Sequence, residues 1–196
     1  IAELKQSVIF AMEEPEIAVP PHTQRRIADY LLHKTTQAFA TSHSPFIIER
    51  FEPEQTMLLS RGPGSSVVGQ RISESSGLKG NDFRRYARRG LTECMLGKGA
   101  IVVEGLTEFH ALPVVARKME EAYDGLQPLD IAGVAFFDAE SEGQMPKFGN
   151  FFKSLGLKTF GFYDLAPRSP QKKQELVVAY DIDCVHPYAG FQAPVV

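Results

Sequence analysis

IVVEGLTEFHALPVVA, residues 101–116, is the stretch whose reading decides the fold. An apolar, β-branched run ends on Glu104, the chain turns at Gly105, and a second carboxylate, Glu108, follows where a helical pattern begins. A buried strand running straight into a helix is half of a strand–helix–strand crossover. From Lys98 onward the pattern continues as strand AIVVE, a helix over about 108–121, strand GVAFFD, a helix over about 146–155, and strand KTFGFYD. Strands alternating with helices predict an α/β domain with a parallel sheet and right-handed crossovers.

All three of these strands end in an acid: Glu104, Asp138 and Asp164. In a parallel α/β sheet the carboxyl ends of the strands share one edge, where ligands bind, so the three side chains are expected to converge although they lie far apart in sequence. Glu108, in the first turn of the following helix, overhangs the same edge, with Thr107 the expected N-cap and Pro113 implying a kink or a restart. Four carboxylates so gathered repel one another unless a cation neutralises them. Oxygen-only donors without His or Cys favour Mg2+ or Mn2+ over zinc, the hard ion held by one or two carboxylates together with substrate phosphates. The plainer alternative is that these are capping and loop acids that happen to end strands.

Upstream, SVIFAM, residues 7–12, predicts a buried parallel strand that runs into EEPE. HTQRRIADYLLH, 22–33, has helical apolar spacing; QAFAT, 37–41, reads as a strand leading into SHSP; SPFIIERF reads as a helix or turn; MLLS and RGPGSSVVGQRI read as a strand and a hairpin. A boundary near residue 75 separates this region from NDFRRYARRGLTECML, 81–96. That stretch predicts a helix capped at Asn81 or Asp82 and weakened by Gly90, with Phe83, Tyr86, Ala87 and Leu91 on one side. Arg84, Arg85, Arg88 and Arg89 fall largely on the other side, either to contact DNA phosphates or to form a solvated face.

Composition narrows the choice. The 196 residues are 43% hydrophobic and 23% charged with a net charge of -3, which supports an ordinary globular core and gives no global attraction to nucleic acid or to an anionic membrane. No apolar run approaches the roughly 20 residues of a membrane span. Two cysteines, Cys94 and Cys184, exclude a disulfide framework or a Cys-rich zinc site and point to a reducing compartment, the cytoplasm. The chain opens inside a regular element and closes on GFQAPVV without a cap, as a piece of a longer protein would. His22, His33, His110 and His186 have no partner at metal-ligand spacing, and Lys98 lies at the strand end opposite the acids.

KGAIVVEGLTEFHALP resembles the first motif of the Toprim fold, the metal-dependent catalytic domain of topoisomerases, primases and certain nucleases. The EG-x-TE form is similar to that of the OLD (overcoming lysogenization defect) nucleases. The resemblance implies that Glu104 is the Toprim glutamate and that Glu108 is the additional acidic metal ligand of OLD enzymes. GFYDLAP stands where the family has an Asp-x-Asp strand end, which carries a metal-ligand role onto Asp164; the second Asp is Ala166 here, and Asp138, Glu140 or Glu142 are its substitutes. VIFAMEEPE resembles an ABC-type Walker B strand of the kind related to RecF and SMC chains, with Glu13 in the Mg2+-binding place and Glu14 in the place of the water-activating acid. TSHSP resembles the switch-histidine loop and points to His43. No GxxxxGK[ST] occurs, so the nucleotide phosphates have no P-loop in these residues.

The expectation is therefore α/β: a Toprim domain over 97–196, a basic connecting helix over 76–96, and the C-terminal lobe of an ABC-type ATPase over 1–75. The implied activity is a two-metal, Mg2+- or Mn2+-dependent DNA endonuclease or nickase, with ATP as a cofactor of the complete protein, DNA as partner, a homodimer of the complete protein, and no membrane. One alternative is a non-cleaving, ATP-regulated DNA clamp with a vestigial metal site. Another, a phosphatase of the haloacid dehalogenase type suggested by FFDAE, lacks the Asp-x-Asp it needs. A topoisomerase needs a catalytic tyrosine, and Tyr123, Tyr163, Tyr180 and Tyr188 lie in no recognisable context.

Overall fold

A computed structural model describes residues 9–72, 78, 80–163 and 169–181. Asp164, Ala166 and Cys184 lie outside the described residues, as do the first two residues of the run 7–12 and the expected boundary near 75. Within the first region, strand β1 (Ile9–Glu13) pairs in parallel with β2 (Gln37–Thr41) through helix α1 (Pro21–Lys34), in a register that sets Glu13 opposite Thr41. A short α2 (Pro45–Ile48) follows, its N-terminus capped by the Ser44 hydroxyl accepting from Phe46 N. Strands β3 (Met57–Arg61) and β4 (Val67–Arg71) form the antiparallel hairpin that the Gly/Ser/Pro turn predicts.

The apolar run at 9–12 departs from its expected burial. Every residue of β1 is exposed, as are four of the five in β2, because the two-stranded sheet has no further strand among the described residues and neither of its faces is fully covered.

Among the described residues, the second region is built on a three-stranded parallel sheet in the order β6-β5-β7, with β5 (Gly99–Val103) central between β6 (Val134–Asp138) and β7 (Lys158–Phe162). Burial on both faces explains why β5 reads as an unbroken apolar run: four of its five residues are buried. Three helices accompany the sheet: α5 (Leu106–Ala122), α6 (Met145–Ser154) and α7 (Pro170–Ala179). The core lies under α6, where Phe137 of β6 meets Phe148 at 4.6 Å and Phe152 at 5.5 Å between ring centroids, and Tyr86 meets Phe148 at 4.6 Å. Helix α5 begins at Leu106 behind an extended Gly105, so Gly105 occupies the capping position expected of Thr107, and the helix runs through Pro113 without interruption. None of its side chains is fully buried.

The arginine-rich stretch is not a single α-helix. α3 (Gly80–Tyr86) gives way to a π-helical turn over Ala87–Leu91 and then to α4 (Thr92–Met95). Gly90, at φ +98, takes a conformation that an L side chain rarely adopts, which explains why a poor helix former stands there. Asn81 and Asp82 fall within the first turn and do not cap it; Asp82 instead pairs with Lys147 of α6. Phe83, Tyr86, Ala87 and Leu91 are buried in the core cluster, as their spacing predicts.

Tyr180, which follows α7, locks that helix to the sheet. Its ring is fully buried, its hydroxyl donates to Met145 O at 2.7 Å, and it lies so close to Gly149 and Gly161 that neither position has room for a Cβ.

Candidate metal edge and acid–histidine loop

The register of the parallel sheet fixes where the acids emerge. Val103, the last residue of β5, pairs with Asp138 on one side and Phe162 on the other, so Glu104 leaves the central strand beside Asp138 and beside Tyr163. The amide of Ala139 donates to Val103 O at 3.0 Å, which keeps the end of β6 on β5 through this point. Asp138 Oδ1 accepts from Glu140 N at 2.7 Å, a tight local turn in which Glu140 adopts φ 65. Glu108 bends back over the same edge: a methyl group placed on Gly105 would lie 3.6 Å from Glu108 Oε2. Glu104, Glu108 and Asp138 are all partly buried.

Two adjacent strand ends and the first turn of the intervening helix thus bring Glu104, Asp138 and Glu108 to one edge. Among the described residues no three acidic, histidine or cysteine side chains stand close enough to form a ready-made metal site. The donors are carboxylates, the chemistry that suits a hard divalent cation.

Glu140 has a different setting. Its Oε2 accepts from Arg85 at 2.6 Å and from the Tyr86 hydroxyl at 3.0 Å, tying the basic stretch to the loop after β6. The other arginines diverge. Arg84 reaches Glu52 of the first region at 2.9 Å and Asn81 at 2.8 Å, whereas Arg88 lines a cleft of about 450 Å³ with Arg84, His33, Asp29 and Glu52. Arg84, Arg85 and Arg88 are exposed, and two of these guanidiniums are committed to carboxylates of the same chain; the Arg89 side chain lies outside those described.

His110 is exposed and its ring meets Phe109 edge-on. Cys94 is buried, and desolvation, reinforced by the charge of Glu93, pushes its thiol well above the usual range, which excludes a thiolate nucleophile.

At the first region's parallel pair, Glu13 ends β1, and Glu14 follows with φ 43 while its amide donates to Thr41 O at 2.9 Å. His43 Nε2 lies 3.7 Å from Glu14 Oε1, so the strand–acid–helix–strand–histidine spacing brings these two side chains together. Sequence reasoning missed Glu16. Its Oε1 accepts from Ser42 Oγ at 2.9 Å and from His43 N at 2.6 Å. The signal was the fourth letter of EEPE, an acid in a short turn facing a Ser-His-Ser loop, and only the parallel pairing of β1 with β2 makes those loops neighbours.

Residues 95–165 match the family described as Overcoming lysogenization defect protein-like, TOPRIM domain. No curated protein matches the chain.

Proposed function

We propose, from the match of residues 95–165 to the overcoming lysogenization defect protein-like TOPRIM family, that this chain carries a divalent-metal-dependent nuclease site that cuts DNA phosphodiesters. The observation that carries this reading is the sheet register, which sets Glu104 at the end of β5 beside Asp138 at the end of β6, inside the matched segment. Glu104 and Asp138 would hold the cation, with Asp164, two residues beyond β7 in the sequence, and Glu108 from the helix completing the donors. Bound Mg2+ or Mn2+ supplies Lewis-acid stabilisation of the phosphoryl oxygens and lowers the pKa of a water. The protein's own part is to hold carboxylates where strands end and to keep the Glu140 side chain on Arg85 and Tyr86. Arg88, exposed on the basic stretch, is in this reading a contact for a DNA phosphate.

Residues 1–75 are read as the C-terminal lobe of an ABC-type ATPase, with Glu13, Glu14 and His43 at its nucleotide-facing edge. The proximity of His43 to Glu14 supports this. ATP turnover, its coupling to cleavage and a homodimer belong to the complete protein in this reading.

Plasmid nicking in Mg2+ and in Mn2+, with Glu104→Ala as control, tests the nuclease. Metal-dependent nicking lost in the variant is expected. Absence of nicking with either ion favours instead a non-cleaving, ATP-regulated DNA clamp, a reading that Ala166 in place of the second Asp supports.

A further inference from the structure

The loop carrying His43 owes its position to a network centred on Glu16. Besides the two bonds accepted by Glu16 Oε1, Ser44 N donates to Ser42 Oγ at 3.0 Å and Ser44 Oγ donates to Gln24 Oε1 at 2.5 Å. Gln24 in turn donates to Val19 O at 2.6 Å. The turn after β1, the start of α1 and the loop after β2 are therefore stitched together by side chains.

His43 contributes little to its own placement. Its side chain is 83% exposed, so the imidazole takes its position from the backbone that Glu16 grips. The charged acceptor makes a shorter and stronger bond to the amide than a neutral one would. Glu16 Oε2 is buried and has no hydrogen-bond partner among the described residues, an arrangement that costs free energy and is kept in spite of that cost. Glu14, facing the imidazole, sits at positive φ, a strained conformation that persists where the surroundings enforce it.

We propose that Glu16 is the positioning residue of the Glu14–His43 pair, its carboxylate clamping the His43 amide so that the imidazole is held against Glu14. The functional half of this inference rests on the ATPase reading above.

Two measurements test it. Amide hydrogen exchange on this chain should find the His43 N–H protected, with Glu16→Ala accelerating its exchange about tenfold or more and leaving the β1–β2 amides unchanged. Glu16→Gln keeps an acceptor oxygen and should restore most of that protection, and Ser42→Ala should leave the His43 amide bonded. In the full-length protein, Glu16→Ala should lower kcat for ATP by about tenfold or more. KM should stay within about twofold, and Glu16→Gln should recover much of the rate. Equal His43 exchange in wild type and Glu16→Ala overturns the clamp. Lost protection with unchanged kcat overturns the positioning role while leaving the ATPase reading standing. A wild-type protein that hydrolyses no ATP overturns both.

Discussion

A Cβ on Gly161 would meet three carbons of the Tyr180 ring at 2.8, 2.8 and 3.1 Å, well inside ordinary van der Waals contact. The ring has nowhere to go. It is fully buried, its hydroxyl is bonded to Met145 O, and its other edge would lie 2.9 Å from a Cβ on Gly149. Overpacking of a core that cannot yield costs about 1–3 kcal/mol. With about 2 kcal/mol lost, Gly161→Ala should melt roughly 4–8 °C below wild type for a chain of this size. The measurement is thermal unfolding followed by circular dichroism, with Gly143→Ala, which meets nothing within 4 Å, as the neutral control. Replacing Tyr180 by Ala removes the obstacle, so adding Gly161→Ala to Tyr180→Ala should cost much less than it does in wild type, a non-additivity expected only of groups in contact. If Gly161→Ala melts within about 1 °C of wild type, the account of Tyr180 as the wedge between α6 and β7 is wrong.

Four further outcomes are expected. Glu104→Gln and Asp138→Asn should each weaken Mn2+ binding about tenfold or more by isothermal titration, with the fold unchanged by circular dichroism. Phe137→Ala, which empties the centre of the aromatic cluster, should lose about 3–5 kcal/mol in urea unfolding. Burial raises the Cys94 thiol and, likewise, the Tyr180 phenol, the latter with a smaller contribution from Tyr163. A group raised in the folded state contributes its stability below its unfolded pKa and loses it as pH climbs, so stability should fall from about pH 8.5 upward. Native Cys94 should resist alkylation at pH 8 and react once the chain is unfolded.

The architecture of the second region was largely legible because each of its strands has an apolar run ending in an acid, and the parallel register then puts Glu104 beside Asp138 without further information. Helix ends were less so. Gly105 rather than Thr107 stands at the N-cap of α5, which has no side-chain cap, and Pro113 is tolerated within a continuous helix. The fates of the charged residues were least legible. That Arg84 would meet Glu52 and Arg85 would meet Glu140 depends on contacts 32 and 55 residues apart, which no local pattern encodes. Glu16 escaped for the same reason: its partners lie 26 and 27 residues away, across the pairing of β1 with β2. The exposure of β1 was hidden as well, because an apolar run reports a demand for cover but does not say what meets it.

The wide turn over Ala87–Leu91 sets the phase of everything before it. A π-turn holds one residue more than the α-helix it interrupts. Wound instead as a regular α-helix with the same residues, the segment would swing Arg84 and Arg85 about 100° around its axis relative to the buried Leu91. The same rewinding would carry Tyr86 out of the aromatic cluster, so the wide turn lets one stretch of chain satisfy the hydrophobic interior, Glu52 and Glu140 at once.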